Sequence, residues 1–264
     1  PAYGTIGETG NKKGVVFISL MGGQMQAVEA ATMKSLWISD SACSGQNQCP
    51  VVYDDQTQLV YTGYWSSESA VSSYVCFDGN TGNIKWKIDH KGGFYWAGGL
   101  LYNDYLIVGS DNGDDGSSGN SQNSDYDLST LYVINKQTGE IIDSQKTLVG
   151  DQRGGIVNCN GILYFTTKAG YLYKAEVNQD GKIKKLEGKE YVRGLQSTST
   201  PVVYHDRVYF GLGAGYANTG RQFVLIAKAD TLEEIYRAPM KGYPQGSGLL
   251  STAYEGEDGT AYIY

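Results

Sequence analysis

Tyr74-Val75-Cys76-Phe77-Asp78-Gly79-Asn80-Thr81-Gly82-Asn83-Ile84-Lys85-Trp86 decides the fold, because the same pattern recurs along the chain. A second copy is Leu131-Tyr132-Val133-Ile134-Asn135-Lys136-Gln137-Thr138-Gly139-Glu140-Ile141-Ile142-Asp143. A third, Ala27-Val28-Glu29-Ala30-Ala31-Thr32-Met33-Lys34-Ser35-Leu36-Trp37, keeps the Thr and the Trp at the same offset. In a fourth, Ile226 to Tyr236, Thr231 holds the Thr position and Tyr236 the Trp position. The last, Ala175 to Lys182, keeps the turn but has Asp180 in place of Thr. The anchors fall at 32, 81, 138, 180 and 231, giving steps of 49, 57, 42 and 51.

Strand-built repeats of roughly 40–50 residues mark the blades of a β-propeller. Each repeat holds four short runs rich in Tyr, Val, Ile and Leu that alternate apolar and polar residues. In the third repeat these are 96–102, 105–109, 130–135 and 140–145. Between the third and fourth runs the Asp or Asn side chain accepts from backbone N–H groups two or three residues on. Gly82 and Gly139 take a positive φ without steric cost. The aromatic residue four after the glycine is placed on the outer strand, filling the wedge between sheets. The leading runs at 97–101, 154–157, 197–203 and 246–251 open on Gly, Ser, Thr and Ala, as the crowded innermost strand of a propeller requires. The chain ends at Thr260-Ala261-Tyr262-Ile263-Tyr264, which reads as the second strand of a sixth blade. The expectation is therefore an all-β propeller of four-stranded blades, with five complete repeats and part of a sixth. Residues 1–264 would form one domain, a fragment of a longer propeller open at both ends.

The run Asp-x-x-Thr-Gly-x-x-x-Trp resembles the tryptophan-docking repeat of quinoprotein-like β-propellers, the pyrroloquinoline-quinone (PQQ) type. Asp78, Thr81, Gly82 and Trp86 match it fully; Trp37, Thr138, Gly139 and Tyr236 match in part. Phe17 to Trp37, Gly63-Tyr64-Trp65, Gly92 to Gly98 and Lys241-Gly242-Tyr243-Pro244-Gln245 are similar to propeller domains in large surface proteins of Gram-positive gut bacteria. The resemblance implies a scaffold more than a chemistry, since a fold hosts many functions. Enzymes of the family hold the quinone with adjacent cysteines, a stacking Trp and a Ca²⁺ beside a catalytic Asp. No Cys-Cys pair exists here, so neither PQQ nor Ca²⁺ is expected.

Other chemistry is faint. Asp111-Asn112-Gly113-Asp114-Asp115-Gly116 departs from a calcium loop at Gly113 and carries Gln122 where Glu is needed. The polar segment 111–129 reads as a mobile insertion. Gly246-Ser247-Gly248 is one residue short of a nucleophile elbow and leads into a strand. His90 and His205 read as surface histidines, and no zinc spacing occurs. Cys43 and Cys49 flank a short loop and stand open between a disulfide and two free thiols. Cys76 reads as buried and apolar. The net charge of −7 and the lack of a basic cluster argue against nucleic acid. No run reaches the ~20 apolar residues of a membrane helix.

One constellation remains. Trp37 and Trp86 are explained by the repeat, but Trp65 and Trp96 are not. Trp65, Tyr95, Trp96, Arg153, Gln196, Tyr243 and Gln245 fall in loops expected to gather on one face around the axis. Aromatic rings beside amides and one Arg suit a binding cup. The sequence thus points to a non-enzymatic binding module on a bacterial surface, with an unknown protein, peptide or carbohydrate as partner. The alternatives are a degenerate quinoprotein-type oxidoreductase and an assembly scaffold.

Overall fold

The computed structural model describes residues 1–118, 124–215, 220–255 and 260–264. It is all-β apart from one 3₁₀ turn at Ser124–Tyr126. The first sheet holds β1 (Ala2–Ile6), β2 (Lys13–Leu20), β3 (Gln24–Glu29) and β4 (Ser35–Ile38). The second holds β5 (Val52–Asp54), β6 (Leu59–Gly63), β7 (Val71–Asp78) and β8 (Ile84–Lys91). The third holds β9 (Leu100–Tyr102), β10 (Tyr105–Gly109), β11 (Leu128–Asn135) and β12 (Ile141–Val149). The fourth holds β13 (Val157–Cys159), β14 (Ile162–Thr166), β15 (Tyr171–Val177) and β16 (Ile183–Glu190). The fifth holds β17 (Val202–Tyr204), β18 (Arg207–Leu212), β19 (Phe223–Lys228) and β20 (Glu234–Pro239). A two-stranded sheet, β21 (Leu250–Ser251) and β22 (Tyr262–Ile263), begins a sixth. Every sheet keeps its strands in chain order, so each repeat folds as one meander. Two compact units are formed, residues 1–153 with 177–183 and residues 154–176 with 184–264.

The five turns behave as one motif. The residue after each anchor, Met33, Gly82, Gly139, Gly181 or Leu232, has φ between 57° and 77°. Asp78 accepts from the Asn80 and Thr81 N–H groups, and Asn135 from those of Gln137 and Thr138. A register shift falls at the same slot in four sheets, at Ala27/Val28, Cys76/Phe77, Val133/Ile134 and Ile226/Ala227. That bulge bends the third strand just ahead of its turn. Met33 is exposed and sits in a conformation that glycine adopts freely. Met33→Gly is therefore expected to stabilise the chain by about 0.5–1 kcal/mol, read as a raised urea midpoint. Leu232 has the same φ but is buried, so Leu232→Gly should destabilise, because lost burial outweighs relieved backbone.

Three of the turns are fastened by the sheet before them, through the carbonyl two residues ahead of the anchor. Trp37 Nε1–H donates to Gly79 O at 3.2 Å. The Tyr61 hydroxyl and Trp86 Nε1–H both donate to Lys136 O at 3.1 Å. In the second unit the Tyr164 hydroxyl donates to Ala229 O at 3.0 Å. The turn glycines lie under the indoles: a Cβ on Gly82 would stand 2.6 Å from the Trp37 ring, and one on Gly139 2.6 Å from that of Trp86. Lys136, a turn residue by sequence, is buried, and its Nζ lies 2.9 Å from Asp54 Oδ2. Burial works to raise the Asp54 pKa, but hydrogen bonds from Lys136, Thr57 and Gln56 outweigh it and hold the carboxyl below its usual range.

The core sits between sheets. On β7, Tyr74 and Cys76 join Tyr61, Trp86, Phe94 and Leu106 on one side, while Val75 and Phe77 join Phe17, Met25 and Val60 on the other. Both faces are buried, which is why this strand reads as a near-continuous apolar run. The second unit has its own cluster around Tyr164, Phe210, Leu225 and Leu232.

Three expectations need correction, and one question left open by the sequence is answered. The first strands start later than the sequence suggests: β9 begins at Leu100, β13 at Val157, β17 at Val202 and β21 at Leu250. The small residues ahead of them lie outside the ladders and against neighbouring backbone; a Cβ on Gly154 would stand 2.9 Å from Ser199 O. Cys43 and Cys49 are free thiols, Cys49 being buried with its Sγ 3.0 Å from Phe94 O. The insertion is anchored where it is described: Asp111, Asn112 and Asp127 are buried, and Asp127 accepts from the N–H groups of Gly116 and Ser118. Gln122 lies outside the described residues. His90 is half-buried, not superficial, with Nδ1 2.8 Å from the Tyr132 hydroxyl.

Burial pushes the His90 imidazole below its ordinary pKa, against a hydrogen bond to the Asp111 backbone. The folded chain then binds fewer protons than the unfolded one as pH falls through about 6.5. Stability is full above that value and declines toward the lowered folded pKa. His90→Gln should flatten the fall in urea midpoint between pH ~7 and ~5.

Candidate functional site

The segment Gly92 to Gly98 leaves β8 and turns sharply before β9. Gly92 and Gly93 have φ of 88° and 65°, and Trp96, with a full side chain, has φ 60°. Holding a bulky residue there costs of order 1–3 kcal/mol, and such strain gathers at functional sites. Its effect here is to stack three rings. Trp65 and Tyr95 have centroids 4.6 Å apart at 33°, and Tyr95 and Trp96 4.6 Å apart at 19°. All three are half-buried.

Amides hold the stack from one side. Trp96 Nε1–H donates to Gln48 Oε1 at 2.8 Å, and Gln48 Nε2 donates to Gln46 Oε1 at 2.8 Å. Gln46 and Trp65 form an antiparallel bridge. Exposed Gln48 thus carries the edge of the Trp96 ring to the surface.

A buried ionic cluster supports the other side. The Arg153 guanidinium carbon lies 4.7 Å from the Tyr95 ring centre, a cation–π distance. Its Nη2 is 2.7 Å from Asp111, 2.9 Å from Asp151 and 3.0 Å from Glu68. Arg153 is 8% exposed and the two aspartates are essentially sealed. Burial disfavours the guanidinium charge, but the three carboxylates outweigh this and raise its pKa. Burial and the neighbouring Asp151 raise the Asp111 pKa well above the carboxylate range, against Arg153. Oxygens of Glu68, Asp111 and Asp151 lie within 4.8 Å of one another, a metal-like grouping. The guanidinium among them supplies the positive charge a metal would bring.

Four of the seven sequence-predicted residues, Trp65, Tyr95, Trp96 and Arg153, therefore come together in the first unit. The Arg153 guanidinium, read from the sequence as part of a binding cup, is engaged by the chain's own acids. In the second unit Gln196 and Gly213 form a bridge, and a Cβ on Gly213 would stand 2.6 Å from the Tyr243 ring. Gln245 is half-buried two residues beyond Tyr243. Glu68 escaped the sequence reading, and Asp111 entered it only as the first residue of a faint calcium loop, not as a partner of Arg153. Asp111 closes the run Gly109-Ser110-Asp111 after an apolar strand, where its burial gives no signal of its own.

No family model matches the chain, and no curated protein matches it. Solved structures do match it, 674 chains of them, so a shared fold alone is no guide to activity. One is the crystal structure of BamB from Moraxella catarrhalis, with a TM-score of 0.51 and 16% sequence identity. The match covers 95% of this chain and 76% of that one. Together with the meander sheets, it makes the fold a β-propeller, here with five four-stranded blades and two strands of a sixth among the described residues. Among the described residues, no helix is long and apolar enough to cross a membrane.

Proposed function

We propose that the chain is a non-enzymatic binding module displayed on a bacterial surface, with its ligand held on the blade-to-blade loops. The observation that carries this reading is the stack of Trp65, Tyr95 and Trp96, aimed by a left-handed Trp and rimmed by glutamine amides. Stacked aromatic faces give contact area at little entropic cost, and amides offer both donors and acceptors. That combination suits a neutral polar ligand, a sugar or a peptide backbone. The lesser loops of the second unit, with Gln196, Tyr243 and Gln245, belong to the same proposal. Assignment of the repeat to the PQQ type rests on Asp78, Thr81, Gly82 and Trp86. The packing of Trp37 on Gly82 and of Trp86 on Gly139 supports it. Placement outside the cell, and kinship with Gram-positive surface proteins, rest on the sequence resemblance.

Glycan and peptide arrays probed with the purified chain test the reading. The expected result is a saturable ligand whose affinity drops at least tenfold in Trp65→Ala and Trp96→Ala, each stacking ring contributing roughly 1–2 kcal/mol. Unchanged binding in both variants, with folding intact, would move the site elsewhere.

A further inference from the structure

The amides that hold the aromatic stack have a direction. An indole N–H donates and never accepts. Trp96 Nε1–H bonds Gln48 Oε1, so the nitrogen of that amide turns to Gln46, where it donates to Oε1 at 2.8 Å. Both side-chain amides are thereby fixed: each oxygen accepts, and the free end of the relay is the Gln46 amide nitrogen. Among the described residues neither of its N–H groups meets an acceptor.

The relay also has a place. The Gln46 backbone N–H donates to Trp65 O at 2.6 Å, and Trp65 N–H donates back at 3.3 Å. The two glutamines therefore run between the outer rings of the stack, Gln46 half-buried and Gln48 exposed. A ligand lying on the rings meets N–H groups beside them. The nearby acid does not restore the balance, because both oxygens of Glu68 accept from Arg153 Nη2, at 3.0 and 3.2 Å.

This polarity sorts ligands. Anionic acceptors are repelled, since three acids surround one guanidinium beside Tyr95 and the chain carries −7. A sugar hydroxyl brings a donor with every acceptor, and against N–H groups that donor goes unmatched. An extended peptide brings an N–H at every residue except proline, which has none. A polyproline II segment makes no internal hydrogen bonds, so it offers neutral carbonyl acceptors and apolar rings together. Aromatic-lined grooves are the usual receptors for such segments.

We propose that the stack of Trp65, Tyr95 and Trp96 takes a proline-rich segment in the polyproline II conformation. The segment lays its rings on the aromatic faces and a carbonyl oxygen on the Gln46 amide nitrogen, which makes Gln46 the residue that sets specificity. The proposal rests on the reading of the stack as a binding site, and its test separates the two.

The probes are deca-proline, a glycine-serine peptide of the same length and an uncharged N-acetylglucosamine tetramer. The chain should bind deca-proline saturably, at least tenfold more weakly as Trp96→Ala and about fivefold more weakly as Gln46→Met. Gln46→Glu keeps the bond to Gln48 but replaces the donor with an anionic oxygen, and should cost at least tenfold. The Tm of each variant beside that of the unaltered chain shows whether the fold is kept. Independently of any substitution, the Gln46 side-chain amide proton resonances should move as deca-proline is added. The proposal is overturned if those resonances stay still, or if the tetramer or the glycine-serine peptide binds as tightly as deca-proline. Where binding of the tetramer still falls in Trp96→Ala, the stack remains the site and only the ligand class is wrong. Where no probe, and nothing on the arrays, responds to Trp96→Ala, the binding reading falls with the proposal.

Discussion

Replacing Arg153 with Ala is expected to cost about 3–5 kcal/mol of folding stability, the range for removing one partner of a buried ion pair. The loss does not come from a missing contact alone. It comes from what stays behind: Asp111 and Asp151, sealed from water, facing each other and Glu68 without a cation. Arg153→Lys should recover only part of the loss, because an ammonium lacks the planar fork and stacks poorly over Tyr95. The deficit should shrink near pH 4, where the stranded carboxylates take up protons at less cost. Urea unfolding of the three proteins at pH 7 and pH 4 measures this. A loss below about 1 kcal/mol at pH 7 would show that the cluster is not the anchor of these loops. Because the guanidinium also supports Tyr95, ligand affinity should fall in any folded Arg153 variant.

Gly139→Val should be the most damaging single change in the repeat turns, at roughly 3–5 kcal/mol. Two effects add. The backbone at φ 77° is one that a β-branched residue resists by about 1–3 kcal/mol. The new side chain also enters the Trp86 indole, with Cβ alone 2.6 Å from Cγ, and overpacking typically costs another 1–3 kcal/mol. Displacing Trp86 breaks its bond to Lys136 O and disturbs the Lys136–Asp54 pair beside it. Far-UV circular dichroism during thermal unfolding reads the effect. Met33→Gly, the opposite change at the equivalent slot, is the control with the opposite sign. A neutral Gly139→Val would mean that the indole is not seated on the turn.

The blades were legible because their signal is repeated and local. Asp78, Thr81 and Gly82 bond to atoms within a few residues, so their spacing in sequence is their spacing in space. Even the degenerate copies gave the anchors correctly: Met33 and Leu232 have the same left-handed backbone as Gly82, and each closes the same turn by donating its N–H to the carbonyl four residues back, at Glu29 and Lys228. The leading ends of the first strands were misread because small residues there mark close approach of neighbouring backbone, which resembles strand-forming composition without a ladder. The aromatic stack was partly legible, since Trp65 and Trp96 had no place in the repeat. The acids around Arg153 were not. Glu68, Asp111 and Asp151 come from three separate loops, each unremarkable alone, and only the fold brings them to one guanidinium. Nothing in the sequence marks Lys136 as buried either: it stands in a polar turn between Asn135 and Gln137, and the Asp54 that pairs with it comes from another sheet.

The fastening of one turn to the preceding sheet has a consequence for how such a chain ages. Its acceptor is a main-chain carbonyl, and the residues that supply it are Gly79, Lys136 and Ala229. Every amino acid has that carbonyl, so no point substitution deletes it. Only the donor and the shape of the turn are open to mutation, and the donor can be an indole or a phenol. Repeats joined in this way can drift apart in sequence, copy by copy, while the junctions between them stay chemically identical. A lineage built on such junctions loses its recognisable text long before it loses its architecture.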